Sequence, residues 1–252
     1  MALPKMILFL LAIIILPCGV QAQKYRLSDF EETALPKPGS NDWYQFLEGS
    51  YAFKVSIKAG KLKIGEYDSN DFDREVELIV DGGRIVGTDD GEFEGRLTFE
   101  DDAGRTTLIK KGNFPFLFIY KHEVYFIDTF APTKFIAAYL ETVELGALYR
   151  LEWQNDAYTY VKIFDFDEFP ISMCIVNDDI MLTSWNYCYK IHDLKKEIIF
   201  KKETIFNDTI NRAFSLNSLA ATDNRYIYLG TEGGYLQFDV ADKSYKYYKY
   251  KK

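Results

Sequence analysis

The seven residues Ile85-Val86-Gly87-Thr88-Asp89-Asp90-Gly91 return 143 positions later as Tyr228-Leu229-Gly230-Thr231-Glu232-Gly233-Gly234. In both copies two apolar residues precede Gly-Thr, an acid follows the threonine, and a glycine lies two residues after the acid. Two weaker copies lie between them, so that threonines recur at intervals of 41, 54 and 48 residues: Thr88, Thr129, Thr183 and Thr231. A period of about 40 to 55 residues in a chain of short strands is typical of a β-propeller, in which each repeat forms one four-stranded blade.

Turn signals and alternating apolar residues divide the chain from residue 76 onward into four such units. The expected strands are 76–80, 84–88, 94–99 and 105–110; 115–120, 123–129, 147–153 and 158–164; 171–176, 179–185, 187–192 and 197–202; and 218–222, 225–230, 234–239 and 244–250. A further hairpin, 51–57 with 62–67, is expected to complete a blade or to close the ring against the C-terminal unit. The fold class predicted is therefore all-β, a small β-propeller of about four to five four-stranded blades. A two-sheet sandwich is the alternative.

The first 22 residues have the pattern of a secretory signal peptide. Lys5 precedes the apolar run Met6–Leu16, and small residues lead to a cleavage point before Gln23. A lipid attached to Cys18 is the alternative, although Pro17 stands where a small residue is usual. We therefore expect a secreted or periplasmic protein, with an irregular N-terminal segment at 23–50, a propeller domain at 51–252 and no transmembrane segment in the mature chain.

Acidic residues outnumber basic ones, 38 to 30, which gives a net charge of −8. This balance argues against a nucleic-acid partner, because phosphates are bound by basic patches. Aromatic residues make up 17% of the chain, as suits pleated and half-buried strands. Lysines alternate with tyrosines in 245–252, which we interpret as an outermost strand whose lysines protect its edge.

Three short stretches resemble blades of bacterial secreted β-propellers: 215–234, 146–151 and 91–95. They are similar to the repeats of sensor-type and WD40-like propellers and of functionally uncharacterised relatives. The resemblance implies a fold. It brings no catalytic residue, because the shared motifs are structural.

The sequence contains few of the residue patterns that carry catalysis or metal binding. The two histidines, His122 and His192, lack metal-ligand spacing, and neither a G-x-S-x-G motif nor a phosphate-binding loop is present. The acidic run 68–73 lacks the glycine that a calcium loop needs. We therefore expect no metal, no cofactor and no enzyme activity. The enzymatic alternative is a glycosidase that uses a pair of carboxylates from separate blades. The simpler interpretation is that the candidate acids are turn residues. The candidates are Asp89, Asp90, Glu92, Asp165, Asp167 and Glu232.

The binding candidates are two tryptophans near strand ends, Trp153 and Trp185, and the acids of the repeated motif, Asp89 and Glu232. A tryptophan at a blade rim can anchor a protein partner or stack on a sugar, while packing between blades is the structural alternative. The function predicted is a secreted, non-enzymatic propeller that binds a protein or peptide. A carbohydrate-binding or glycan-cleaving propeller is the second hypothesis.

The third expected unit contains both cysteines that remain after signal cleavage, Cys174 and Cys188. The expected register places Cys174 opposite Met181 and Cys188 near Thr183. The cysteines lie two strands apart, at a distance of about 9–10 Å, which is beyond the reach of a disulfide. Two buried thiols are therefore expected.

Overall fold

The computed structural model describes residues 25–37, 39–41, 43–44, 51–67, 75–90, 95–129, 146–205 and 216–251. Several sequence predictions lie outside these residues: the signal peptide with Cys18, the acidic run 68–73, Glu92 and most of the insertion 131–146. Among the residues described, no helix combines the length and the apolar character that crossing a membrane requires.

The first elements in the described part of the chain are a short 3-10 helix (Leu27–Asp29) and strand β1 (Phe30–Thr33), and the hairpin β2 (Phe53–Lys58) and β3 (Lys61–Glu66) comes after them. Four blades follow. Blade 1 contains β4 (Glu75–Val80), β5 (Gly83–Thr88), β6 (Arg96–Asp101) and β7 (Thr106–Lys111), and blade 2 contains β8 (Phe116–Tyr120), β9 (Glu123–Asp128), β10 (Ala147–Gln154) and β11 (Ala157–Asp165). Blade 3 contains β12 (Pro170–Val176), β13 (Asp179–Ser184), β14 (Tyr187–His192) and β15 (Lys195–Lys201), then helix α1 (Lys202–Ile205). Blade 4 contains β16 (Ser218–Ala221), β17 (Tyr226–Thr231), β18 (Gly234–Asp239) and β19 (Ser244–Tyr250).

Each blade is an antiparallel sheet whose strands pair in chain order, and the two-stranded hairpin forms a fifth, shorter sheet. This confirms the all-β prediction of a small propeller of about five blades. Every predicted blade strand begins and ends within two residues of an observed one. Thr88 and Thr231 occupy equivalent positions, because each ends the second strand of its blade.

The blades pack face to face through four buried clusters, since a four-stranded sheet has two apolar faces to cover. Ile85 of blade 1 packs with Phe126 of blade 2, and Ile127 of blade 2 with Ile180 of blade 3. Met181 of blade 3 packs with Leu229 of blade 4, and the far face of blade 4 packs against Phe53 of the hairpin. The hairpin therefore lies against the C-terminal blade, as one of the two expected arrangements has it.

Blade 4 differs from the prediction at its outer edge. Strand β1 pairs with β19, with Phe30 opposite Tyr250 and Thr33 opposite Tyr247, so this sheet has five strands. Residues 30–33 thus form a strand inside the segment expected to be irregular. The interpretation of the lysine-rich tail as an outermost strand is wrong, because β1 covers it.

The register of blade 3 agrees with the cysteine prediction. Cys174 pairs with Met181, Cys188 pairs with Thr183, and both cysteines are free thiols. Burial raises the pKa of the Cys174 thiol to about 11 and also raises that of Cys188. Both side chains belong to the apolar cluster between blades 3 and 4.

The antiparallel strands give the propeller two distinct ends. The threonine end carries the connections from second to third strands, beginning at Thr88, Thr129, Thr183 and Thr231, and the crossovers between blades. The hairpin end carries the tight turns from first to second strands, including Asp81-Gly82, Lys121-His122 and Asn177-Asp178. At the hairpin end, Tyr120 donates to the Asp178 carbonyl and Asn177 to Asn224, so neighbouring blades have the same orientation.

Candidate binding surfaces

The four predicted binding residues lie at opposite ends of the propeller. Asp89, Trp185 and Glu232 follow second strands at the threonine end, whereas Trp153 lies near the end of β10, beside the β10–β11 turn at the hairpin end. The structure therefore contains two candidate surfaces, one at each end.

At the threonine end, Trp185 lies in the turn between β13 and β14 and contacts a lysine that the sequence analysis missed. The Lys202 ammonium lies 4.9 Å from the centre of the Trp185 ring, a distance suited to a cation–π interaction. Lys202 is only 1% exposed, and its backbone N–H donates to the Asn186 carbonyl at 2.7 Å. The Lys202 side chain is thus buried at the point where the chain leaves blade 3.

Glu168 holds the turn that carries Trp185. Its carboxylate accepts hydrogen bonds from the Ser184 hydroxyl at 2.8 Å, the Asn186 backbone N–H at 2.6 Å and the Asn186 side-chain amide at 2.5 Å. An anion that accepts several hydrogen bonds fixes a turn more firmly than neutral contacts do. The orientation of Trp185 is therefore tied to the crossover between blades 2 and 3.

Burial lowers the pKa of Lys202 to about 8, while the negative charges of Glu232 and Glu168 act in the opposite direction. The desolvation of an ammonium outweighs the two carboxylates here. Glu232 thus acts electrostatically on the same lysine that packs on Trp185. Sequence reasoning missed Lys202 because a lysine is usually exposed. The apolar pair Ile199-Phe200 before it is only a weak indication that Lys202 is buried.

Two of the repeated threonines, Thr88 and Thr231, make local hydrogen bonds with their side chains. The Thr88 hydroxyl donates to the Asp90 carboxylate at 2.8 Å and accepts from the Arg96 N–H at 3.0 Å. The Thr231 hydroxyl donates to the Glu232 carbonyl at 2.9 Å. These bonds lie where the second strand ends in blades 1 and 4.

Two further candidate carboxylates, those of Asp165 and Asp167, form ion pairs. Asp167 lies 2.8 Å from the Lys196 ammonium, which lowers the pKa of this carboxyl, and Asp165 lies 3.0 Å from Lys162. Among the residues that the structure describes, no group of three or more His, Cys, Asp or Glu side chains is arranged to hold a metal ion. His192 binds Asp179 at 2.7 Å at the hairpin end.

At the hairpin end, Trp153 is 54% exposed, unusually high for a large aromatic residue. Its ring meets Tyr158 of the same blade at 4.8 Å and Phe99 of blade 1 at 6.0 Å, both edge to face. Burial raises the pKa of Tyr158, and the charge of Asp81 adds to this effect. The three rings form an aromatic patch across the junction of blades 1 and 2.

Exposed isoleucines also recur toward the hairpin end. Ile79, Ile119 and Ile175 are the next-to-last residues of the innermost strands of blades 1, 2 and 3. They are 71%, 52% and 42% exposed. Since the innermost strands of a propeller surround its central axis, three successive blades present an apolar side chain at the same level.

No protein-family description matches the chain, and no curated protein does either. Among solved structures, the chain is similar to an extracellular domain described as belonging to a one component system of B. thetaiotaomicron, with 15% identity over 88% of this chain and 29% of that chain and a TM-score of 0.43. It is similar to the tricorn protease, with 11% identity over 78% of this chain and 26% of that chain and a TM-score of 0.38. A third similar structure is the catalytic domain of a GH62 α-L-arabinofuranosidase of Coprinopsis cinerea, with 10% identity over 79% and 69% and a TM-score of 0.29. The chain spans less than a third of the length of the first two.

Proposed function

We propose that the protein is a secreted, non-enzymatic propeller that binds a protein or peptide partner at its hairpin end. The observation that supports this proposal is that Trp153 and the three isoleucines are each exposed toward that end. Exposed apolar groups rimmed by polar residues mark protein interaction sites, and tryptophan is enriched among the residues that dominate binding energy. The aliphatic side chains favour a protein over a sugar, because a sugar-binding surface relies on aromatic faces and hydrogen bonds.

The proposal is tested with peptides selected from a displayed random library against the chain that begins at Gln23. Trp153→Ala and Ile119→Glu should each weaken a selected peptide by at least about tenfold, since truncation of a dominant interface residue costs about 2 kcal/mol or more. Ile198→Glu is the matched control, because Ile198 is 42% exposed on the outer strand of blade 3. Unchanged affinity in both hairpin-end variants, with correct folding, would contradict the proposal.

A glycan is the second candidate ligand, and the exposed indole of Trp153 favours it. The ring lies beside Tyr158 and is 54% exposed, so a sugar can stack on it. A glycan array separates the two hypotheses. A signal that is lost in Trp153→Ala and kept in Ile119→Glu would favour the glycan, and hydrolysis lost in Glu232→Gln would favour the glycan-cleaving form.

A further inference from the structure

The hairpin β2–β3 occupies the position of a fifth blade but supplies only two of the four strands found in the other blades. The inner strand β2 lies against blade 4, where its Val55 N–H donates to the Ser218 hydroxyl at 2.8 Å. In the residues that the structure describes, β3 pairs with β2 alone. The outer long edge of β3 is therefore where the third strand of a complete blade would pair.

The register shows which backbone groups line that edge. The Tyr67 N–H donates to the Ala52 carbonyl, so Ala52 and Tyr67 form a hydrogen-bonded pair. In an antiparallel ladder, such pairs alternate with pairs that exchange no hydrogen bonds. Val55–Ile64 and Ile57–Leu62 are consequently the pairs without mutual hydrogen bonds. The N–H and C=O groups of Leu62 and Ile64 are thus directed away from β2, in the orientation that an added extended chain would pair with.

The side chains of β3 define which extended chain fits this edge. Leu62 and Ile64 face the cluster shared with blade 4, where Tyr228 and Tyr248 are only half-buried. Lys61 and Lys63 alternate with them on the opposite face, beside Lys54 and Lys58 of β2. The two strands thus hold four lysines and one glutamate, in a chain whose net charge is −8.

We propose that the outer edge of β3 binds an extended segment of a partner protein in which acidic residues alternate with apolar ones. The apolar side chains of this segment would cover the tyrosines of blade 4, and its carboxylates would lie opposite the lysines of the hairpin. Such a segment would supply the third strand of the fifth blade. Lysines at this edge also disfavour pairing with basic strands, including lysine-rich strands of other copies.

The probe is a short fluorescent peptide in which glutamate alternates with valine, added to the chain that begins at Gln23. We expect saturable binding by fluorescence anisotropy that weakens as salt rises. A peptide with the same side chains but N-methylated at alternate amides tests the backbone pairing, because it cannot donate to the edge of β3. It should bind at least about tenfold more weakly.

A charge-swapped pair tests the lysines without altering the core of the hairpin. Lys58→Glu with Lys61→Glu changes two exposed residues, and it should weaken the acidic peptide about fivefold while improving a lysine–valine peptide by a similar factor. Three results would overturn the proposal: no binding of the acidic peptide, equal binding of the N-methylated peptide, or a dimer of this chain that the acidic peptide does not dissociate in sedimentation.

Discussion

At the scale of the residue, the glycine of the repeated motif is required by a close approach of two backbones. A Cβ atom on Gly230 would lie 2.2 Å from the Phe53 carbonyl oxygen and 3.0 Å from Lys54 Cα, because β2 crosses directly over it. Gly87 is the equivalent residue of blade 1, and a Cβ there would lie 2.9 Å from Phe114 Cβ. Close packing thus accounts for the glycine of the motif in both blades.

Gly230→Val should therefore destabilise the protein by about 1–3 kcal/mol, because β2 or β17 must shift to make room. Gly65→Val is the matched control, since a Cβ at Gly65 meets Lys54 Cγ at 3.5 Å, an ordinary contact. Urea unfolding of both variants measures the difference. If Gly230→Val unfolds like the wild type, close approach is not the reason for this glycine.

Lys202 makes the free energy of unfolding depend on pH, and the direction of this dependence follows from its lowered pKa. The folded chain releases this proton near pH 8, whereas the unfolded chain retains it to about pH 10.5, the usual value for lysine. The unfolded state binds more protons in this window, so the wild-type free energy of unfolding should rise with pH relative to Lys202→Met, by about 1–3 kcal/mol.

Denaturant unfolding at pH values from 7 to about 10.5 measures this difference curve, with the exposed Lys195→Met as control. The control should run parallel to the wild type. A Lys202→Met curve that also runs parallel would show that burial does not perturb this ammonium.

At the scale of the element, the blades could be predicted because each strand has local signals at both ends. In blade 3, the turn Asn177-Asp178 sets the pairing of Val176 with Asp179, and this register alone places Cys174 opposite Met181. Asn177 adopts a positive φ of 52°, as such turns favour for asparagine. The repeat period, the turn residues and the alternation of apolar side chains all indicate the same strands, so these strands can be predicted from the sequence.

Other elements could not be predicted because their partners are distant in sequence. Strand β1 has four residues and pairs with β19, more than 200 positions away, so no local pattern indicates it. The contact of Lys202 with Trp185 depends on how the residues after β15 pack against the turn between β13 and β14. The sequence indicates that Trp153 lies near a strand end, but its exposure depends on the junction between blades 1 and 2.

At the scale of the whole molecule, the N-terminal segment joins the C-terminal blade to the hairpin. Phe30 is 5% exposed, and its ring lies 5.2 Å from Phe53 of β2, 5.3 Å from Tyr235 of β18 and 5.5 Å from Tyr250 of β19. Tyr25 adds contacts to Phe53 and Tyr250 at 5.2 and 5.4 Å. One aromatic cluster thus connects residues from both ends of the chain.

Phe30→Ala should therefore destabilise the whole propeller, not only β1, by about 3 kcal/mol or more, because it leaves a cavity at the meeting point of three elements. Glu31→Ala is the matched control on the same strand, since Glu31 is exposed, and it should change stability by less than about 0.5 kcal/mol. Unfolding is followed by tryptophan fluorescence, which reports on Trp43, Trp153 and Trp185 together, and by far-ultraviolet circular dichroism. If both signals move together to lower denaturant in Phe30→Ala, the N-terminal segment is part of the cooperative unit. A loss of β1 that leaves the main transition unmoved would instead make it a peripheral addition to blade 4.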